Sequence, residues 1–176
     1  IQGKGLKPAI WSWAGIVDRV TWKAEKALAT AEANKDRFVL NKEGKPAMNL
    51  WVGCAVDGSN PSAIDQFYRP TYRELARQGW NYFKVDGLRH LRYEGYNCNP
   101  DYFSKKGVER ADAFRNVAKA IREEIGPDKF LLGCWGVRPE MAGILDACRI
   151  GQDGFGRGAL AQYNSYNNVV WRNDPD

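Results

Sequence analysis

The stretch YFKVDG, residues 82–87, places a lysine and an aspartate at the end of an apolar run. Alternate side chains of a strand share a face, so Lys84 and Asp86 should project to the same side. A lysine at this spacing would hold the carboxyl group ionised, and an ionised carboxylate in a partly dry pocket can attack an electrophilic carbon. An ordinary ion pair at a strand end is the alternative interpretation of the same spacing.

A second acid follows an arginine in the stretch RIGQDG, where Arg149 lies four residues before Asp153. A carboxyl group that keeps its proton can donate it to a leaving oxygen. Two carboxyl groups about 5 Å apart are the apparatus of a retaining glycosidase. The pair also fits a structural clamp within a loop, so this spacing alone does not decide between the two.

Short apolar strands alternate with helical segments along the chain, which predicts a parallel sheet. Right-handed crossovers wind such a sheet into a doubly wound fold or a (β/α) barrel. No glycine-rich phosphate loop follows the first strand, and this disfavours a dinucleotide-binding fold. Strands are predicted at 5–15, 80–87, 129–136, 148–154 and 168–176, helices at 18–34, 59–79 with a break near Pro70, 106–126 and 139–147, and a hairpin at 37–57.

Charged residues recur where the predicted strands end. A (β/α)8 barrel of the TIM type gathers the carboxyl ends of its strands around one mouth, where active sites are found. We therefore predict an α/β protein built on such a barrel. The residues in question are Asp57, Lys84, Asp86, Arg149, Asp153, Asp174 and Asp176.

Composition excludes several other classes. The net charge is +5, but no run of five basic residues occurs, so a nucleic-acid groove is not indicated. No stretch of 18 apolar residues predicts a membrane span. The four cysteines form no CxxC pair, and His90 is the only histidine, which argues against a zinc site. We expect no metal and no cofactor.

Five motifs, in order, give the chain a family resemblance. The chain resembles the retaining α-galactosidase clan, glycoside hydrolase families 27 and 36, in five segments that occur in the same order as in that clan. These segments are GLKPAIW, GWNYFKVDG, FLLGCWG, DACRIGQDG and WRNDPD. Ala9 stands where that family usually has glycine. The resemblance implies a retaining exo-α-glycosidase, with galactose as the expected sugar and N-acetylgalactosamine as the alternative.

The resemblance also implies roles for individual residues. Asp86 would be the nucleophile, and Asp153 would be the acid that later activates water. Asp57 would be a structural or rim residue, and Cys98 would lie in a loop where the family often has a disulfide. The sequence does not fix the pairing, and Cys54 is one candidate partner of Cys98. The residues implied to contact the sugar or border its pocket are Trp11, Lys84, Cys134, Trp135, Arg149 and Asp176.

The matched motifs correspond to about strands three to seven of eight. The chain begins at Ile1 without a methionine and ends within a motif at Asp176. We therefore expect residues 1–176 to be part of one catalytic barrel domain. Its predicted partners are a carbohydrate substrate and the remaining barrel segments of the parent protein.

Two further functions fit the same residues. A barrel that binds carbohydrate without turning it over would share the pocket, and an aldolase could use Lys84 as a Schiff-base nucleophile. Among the other candidates, His90 could line the mouth, four residues after Asp86, but a solvent-exposed loop position is the expectation. The tyrosines Tyr93, Tyr96 and Tyr102 would either stack on a second sugar or take ordinary packing and surface positions.

Overall fold

Alternating strands and helices make up the part of the chain that the computed structural model describes, residues 2–14, 24–49, 52–97, 100–134 and 139–149. The strands are β1 (Ala9–Trp13), β2 (Met48–Asn49), β3 (Gly53–Cys54), β4 (Tyr82–Asp86), β5 (Phe130–Gly133) and β6 (Ala147–Cys148). The helices are α1 (Ala24–Ala33), α2 (Pro61–Phe67), α3 (Arg69–Arg77), α4 (Leu88–His90) and α5 (Arg110–Ile125). None of these helices is long and apolar enough to cross a membrane.

Four of the strands form one parallel sheet in the order β1-β4-β5-β6. The parallel sheet and the mixed α/β class are therefore confirmed. Each successive strand is added on the same side, whereas a doubly wound sheet reverses its strand order. This uniform direction is the one found in (β/α) barrels, but four strands do not close a barrel of eight. The predicted strand 168–176 lies outside the described residues.

The two faces of the sheet meet different surroundings. Phe83, Val85 and Leu131 are buried against the helices. The alternate residues Trp11, Lys84 and Asp86 project from the opposite face, which is only partly covered, and Trp11 is 56% exposed. Burial of the first set therefore fixes the direction of the second, because a strand alternates its side chains.

Helices α3 and α5 pack on each other and cover the buried face. Tyr72 of α3 packs its ring 6.4 Å from that of Phe83, and its hydroxyl lies 3.0 Å from Ser12 Oγ. Burial raises the pKa of Tyr72 to about 12, so the phenol stays neutral. The predicted helix 106–126 is confirmed with shorter bounds, and its buried residues are Ala113, Phe114, Val117, Ala118, Ala120, Ile121 and Ile125.

The predicted helix 59–79 is two helices that meet at Tyr68. Asn60 caps α2 by accepting hydrogen bonds from the amides of Ser62 and Ala63. Pro70 lies in the first turn of α3, where its missing N–H costs no intrahelical bond. The expected break at this proline is therefore confirmed.

The region predicted as one hairpin is an antiparallel meander, residues 38–56. Phe38 pairs with Val56 on one side, while Leu40 pairs with Pro46 across the turn at 42–45. Strands β2 and β3 then pair with each other. The segment 38–40 thus lies between two partners, which a single hairpin does not provide.

The prediction of a helix at 139–147 is wrong. Residues Pro139–Met141 form a 3-10 turn, and Ala147–Cys148 already belong to β6. Gly143 adopts a φ of 75°, in the left-handed region that a continuing α-helix does not use. Nine residues interrupted there are too few to propagate a helix.

Gly58 is expected to tolerate no side chain. A Cβ atom at this position would lie 2.2 Å from the carbonyl oxygen of Ala113 and 2.7 Å from the hydroxyl of Tyr96. We predict that Gly58→Ala lowers the free energy of unfolding by about 2 kcal/mol, measured by denaturant titration, because the backbone of α5 must shift. Gly3→Ala is the matched control, since nothing lies within 4 Å of its Cβ position. Equal stability of the two variants would contradict the packing described here.

Glu124 joins α5 to α3 by accepting hydrogen bonds from two arginines. Its carboxylate lies 2.8 Å from Arg73 Nε and 3.1 Å from Arg69 Nη1. The hydrogen bond from Arg73, followed by that from Arg69, lowers the pKa of Glu124 below its usual 4.5, against the opposing effect of burial. A lowered pKa stabilises the fold above the unfolded-state pKa, and this stabilisation is lost as the pH falls through the folded-state value.

We therefore predict that Glu124→Gln destabilises the protein by about 1 kcal/mol at pH 7. The difference between wild type and variant should shrink as the pH falls below about 4.5 and should vanish below the lowered folded-state pKa, as followed by urea unfolding at a series of pH values. Glu74→Gln serves as the control, because Arg77, the arginine bound by Glu74, lies on the same helix and links no second element. A difference between wild type and Glu124→Gln that persists unchanged at low pH would refute this role.

Candidate functional site

The carboxyl ends of the four parallel strands bring together residues that are far apart in sequence. Trp13 and Asp86 are register partners at the ends of β1 and β4. The amide of Cys134 donates to the Val85 carbonyl at 2.8 Å, and that of Arg149 donates to the Gly133 carbonyl at 3.0 Å. The carboxyl end of the sheet therefore brings together Asp86, Cys134 and Arg149.

The carboxylate of Asp86 is held by two N–H donors. Trp11 Nε1 donates to Oδ2 at 3.1 Å, and the amide of Gly87 donates to Oδ1 at 2.7 Å. Gly87 has a φ of 74°, and a Cβ at that position would lie 2.9 Å from the ring of Trp13. The turn after β4 thus requires glycine, and it aims one of the two donors at the carboxylate.

Cys134 lies between the anion and a cation. Burial raises the pKa of its thiol to about 11, and the hydrogen bond and negative charge of Asp86 act in the same direction. Arg149 Nη1 approaches the sulfur at 3.5 Å and opposes this shift. The thiol is therefore uncharged at neutral pH and is not available there as a nucleophile.

Lys84 lies on the same face of β4 as Asp86, two residues before it, in register with Trp11. The predicted placement is therefore confirmed. Within the described part of the chain, however, no ion pair joins Lys84 to Asp86, and the carboxylate accepts hydrogen bonds from the two N–H groups beside the Cys134 thiol. Lys84 is half-buried on this face.

An aromatic row that sequence reasoning missed runs along the end of β1. The rings of Trp11 and Trp13 lie 6.3 Å apart, and Trp13 stacks on the imidazole of His90 at 6.0 Å. His90 Nδ1 lies 2.8 Å from Glu94 Oε1. The prediction of a solvent-exposed His90 is wrong, because its ring is packed between Trp13 and Glu94, which lies one helical turn further along the chain. The alternation in WSW was the signal that Trp13 shares a face with Trp11.

Asp57 does not lie with Asp86 at the carboxyl end of the parallel sheet, although the sequence pattern placed it among the charged residues where strands end. It is fully buried, and its Oδ1 accepts from the amide and hydroxyl of Ser59 at 2.8 and 2.6 Å. Its Oδ2 accepts from the amide of Ser104 at 2.7 Å. Asp57 is therefore a structural residue that ties the start of α2 to the loop before α5.

Tyr96 is also structural. It is fully buried, donates its hydroxyl proton to the Val56 carbonyl at 2.8 Å, and meets Phe103 edge-on. Stacking of Tyr96 on a sugar is excluded by this burial. Tyr93 and Tyr102 are half-buried and line a cavity beside the meander.

Several predicted residues lie outside the described part of the chain. These are Trp135, Asp153, Asp174 and Asp176, so the separation of the two proposed catalytic carboxyl groups stays a prediction. Cys98 also lies outside it. Cys54 is a buried free thiol, and this disagrees with Cys54 as the candidate partner of Cys98.

The arrangement can bind and polarise an uncharged polyol beside a fixed carboxylate. Trp11 offers an exposed ring, while Lys84 and Arg149 supply hydrogen-bond donors on the same side. Among the described residues, no group of three or more histidine, cysteine or acidic side chains is placed to hold a metal ion.

Comparison with known proteins identifies similar folds. No protein-family profile matches the sequence. The α-galactosidase TtGalA from Thermus thermophilus, solved in complex with stachyose, is similar over the whole chain with a TM-score of 0.70 and 19% identity. The glycoside hydrolase domain of PelA from Pseudomonas aeruginosa matches 97% of the chain, with a TM-score of 0.59 and 16% identity. A variant of that domain matches 84% of the chain, with a TM-score of 0.53 and 17% identity.

The chain spans only part of each of these proteins, namely 40% of TtGalA and 65% and 51% of the two PelA structures. At this level of identity the likeness concerns the fold. The described residues thus form a mixed α/β unit with a parallel sheet, similar to the folds of glycoside hydrolases.

Proposed function

We propose that the protein is a retaining exo-α-glycosidase that removes terminal α-linked galactose. The observation that carries the proposal is the Asp86 carboxylate, fixed by Trp11 and Gly87 at the carboxyl end of a parallel strand. Active sites of (β/α) barrels lie at this end of the strands. The likeness to glycoside hydrolase folds supports the reaction class.

The proposal requires the sheet to be part of a (β/α)8 barrel. In support, the four described strands follow one another in a single direction, and the face that would line the barrel is incompletely covered. Trp11 at one end of this face is 56% exposed, and Phe130 at the other end is 40% exposed. The described strands, with 168–176, would be strands three to seven, and other segments of the parent protein would supply the rest.

In the first step of the proposed reaction, one oxygen of Asp86 attacks the anomeric carbon. The bond from that carbon to the leaving oxygen breaks, and Asp153 transfers its proton to this oxygen. The product is a glycosyl ester on Asp86 together with the free aglycone alcohol. The N–H donors of Trp11 and Gly87 hold the carboxylate in its attacking orientation, so the approach needs little reorganisation.

In the second step, Asp153 accepts a proton from water as the water oxygen attacks the anomeric carbon. The ester bond to Asp86 breaks, and the sugar leaves with its original configuration after two inversions. The carboxylate of Asp86 and the protonated Asp153 are thereby restored. No metal or cofactor takes part in this scheme.

The remaining residues would bind the sugar. Lys84 and Arg149 are the proposed donors to its hydroxyl groups, because Lys84 shares a strand face with Asp86 and Arg149 follows β6 at the same end of the sheet. Trp11 would pack against the ring with its exposed indole. Cys134 and Trp135 would border the ring, and Asp176 would lie near the catalytic acid. N-acetylgalactosamine is the alternative sugar.

Replacing the proposed nucleophile should abolish turnover without unfolding the protein. We predict that Asp86→Asn lowers kcat on an aryl α-galactoside by at least about 1,000-fold, because the amide cannot form the glycosyl ester. A 2-fluoro galactosyl reagent should label Asp86 in the wild type, as read by peptide mass spectrometry. Asp112→Asn, an exposed aspartate on α5, is the control for loss of a carboxylate and should keep full activity.

Covalent labelling of another residue would overturn this assignment. A wild-type protein that binds galactosides but never hydrolyses them would instead indicate the carbohydrate-binding barrel. Trapping of Lys84 by borohydride in the presence of a carbonyl substrate would indicate the aldolase.

The indole N–H of Trp11 should matter separately from its ring. Trp11→Phe keeps an aromatic surface but removes the donor to Asp86 Oδ2. Because a hydrogen bond to a charged group contributes about 1.5–3 kcal/mol, we predict a fall in kcat of about tenfold or more with little change in KM. Trp11→Ala should in addition raise KM. If Trp11→Phe altered only KM, the proposed positioning of the carboxylate would be wrong.

A further inference from the structure

Two adjoining cavities lie along the meander, with volumes of about 590 and 330 Å³. We call them together the meander groove. Tyr102 contributes to both cavities, as do Leu40, Asn41 and Lys42 on the opposite wall. A half-buried tyrosine therefore stands where the two cavities meet, and an extended ligand in the groove would cross it. The larger cavity is completed by Ala47, Asn49, Tyr93, Glu94, Gly95 and Asn97.

The amide side chains of the larger cavity are held by the protein yet keep hydrogen-bonding capacity. Asn49 donates to the carbonyls of Ala47 and Gly53, so its own oxygen stays available among the described residues. Asn41 accepts from the amides of Glu43 and Lys45, and Asn97 accepts from Arg110. In the described part of the chain the NH₂ group of each of these two donates to no other side chain or carbonyl, so each offers a donor. One fixed acceptor and two fixed donors thus line one cavity.

The charges beside these amides are already engaged. Glu94 lies 2.8 Å from His90, and Lys42 lies 3.7 Å from Glu43. Tyr93 has the guanidinium groups of Arg89 and Arg92 at 5.6 and 5.8 Å from its ring centre, which hold this wall in place. The smaller cavity adds Lys35, Asp36, Asp101 and Lys106, so the lining of the whole groove carries three lysines and three acidic side chains, which balance. Aromatic rings with held amides and no net charge suit a neutral polyhydroxylated ligand better than an ionic one.

The larger cavity lies within reach of Asp86. From Gly87, helix α4 and the π-helical turn Leu91–Gly95 run without a break. Tyr93 lies six positions after Gly87, which corresponds to about 9 Å of helix. His90 lies between Asp86 and the larger cavity on the same helical segment. Its ring stacks on Trp13, the register partner of Asp86, and its Nδ1 lies 2.8 Å from Glu94, which lines the cavity.

We propose that the meander groove binds the inner sugar residues of a neutral oligosaccharide whose terminal residue lies at Asp86, an inference that rests on the proposed glycosidase function. Tyr102 is the stacking platform at the junction of the two cavities, and the three asparagines hydrogen-bond to sugar hydroxyls. The groove then favours oligosaccharides over simple galactosides, because only a long ligand reaches both places.

The test compares a long and a short ligand in the full-length protein carrying Asp86→Asn, which cannot consume them. Dissociation constants for stachyose and for methyl α-galactoside are measured by calorimetry, with and without Tyr102→Ala. Loss of the ring should weaken stachyose binding about tenfold and should change methyl α-galactoside binding less than about twofold. Tyr102→Phe keeps the ring and should bind both ligands as before.

Phe130→Ala removes a partly exposed aromatic ring from the opposite end of the sheet and should leave both constants unchanged. Stachyose binding that is insensitive to Tyr102→Ala would overturn the groove assignment, as would an equal loss for both ligands. Failure of the proposed function has a different signature. In that case neither ligand binds any variant, or Asp86→Asn still hydrolyses galactosides, and the groove assignment then loses its basis as well.

Discussion

The parallel pairing of β4 with β1 on one side and β5 on the other is the constraint on which the rest of the structure depends. Both edges of β4 are occupied, and Phe83 and Val85 are buried beneath the helices. A slip of one residue would turn Lys84 and Asp86 into the core and expose the two apolar side chains. The cost of burying unpaired charges excludes that register, so the core itself decides where Asp86 points.

The environment of Asp86 is assembled from four separate parts of the chain. Trp11 comes from β1, Gly87 from the turn after β4, Cys134 from the end of β5 and Arg149 from the end of β6. Because each is carried by a hydrogen-bonded strand or its first loop residue, the carboxylate is oriented before any ligand arrives. Preorganisation of this kind suits the proposed role of Asp86 as a nucleophile, since orientation then costs no free energy at the moment of reaction.

Asp57 and Asp86 both follow predicted strands in the sequence, but their surroundings in the structure differ. Asp57 is fully buried, and its two carboxylate oxygens accept hydrogen bonds from donors at the start of α2 and in the loop before α5. Asp86 also accepts two hydrogen bonds, but it lies at a partly open edge beside an exposed indole. Tyr96 and Gly58 pack beside Asp57 and join the meander to α5, so this anchored region positions the segment that follows β4.

The sequence by itself determined the parallel α/β class, the helix break near Pro70 and the shared face of Lys84 and Asp86. Each of these follows from a local rule, because the alternation of side chains in a strand, the geometry of proline and the ending of helices at glycine act over a few residues. Only the tertiary structure decided that Asp57 is buried, that His90 packs on Trp13 and that 139–147 is not a helix. It alone also showed that N–H groups, rather than Lys84, bind the Asp86 carboxylate directly. Several of those outcomes depend on contacts between residues tens of positions apart, such as Trp11 with Asp86 and Ser104 with Asp57, and no local pattern records which distant donor reaches a given oxygen.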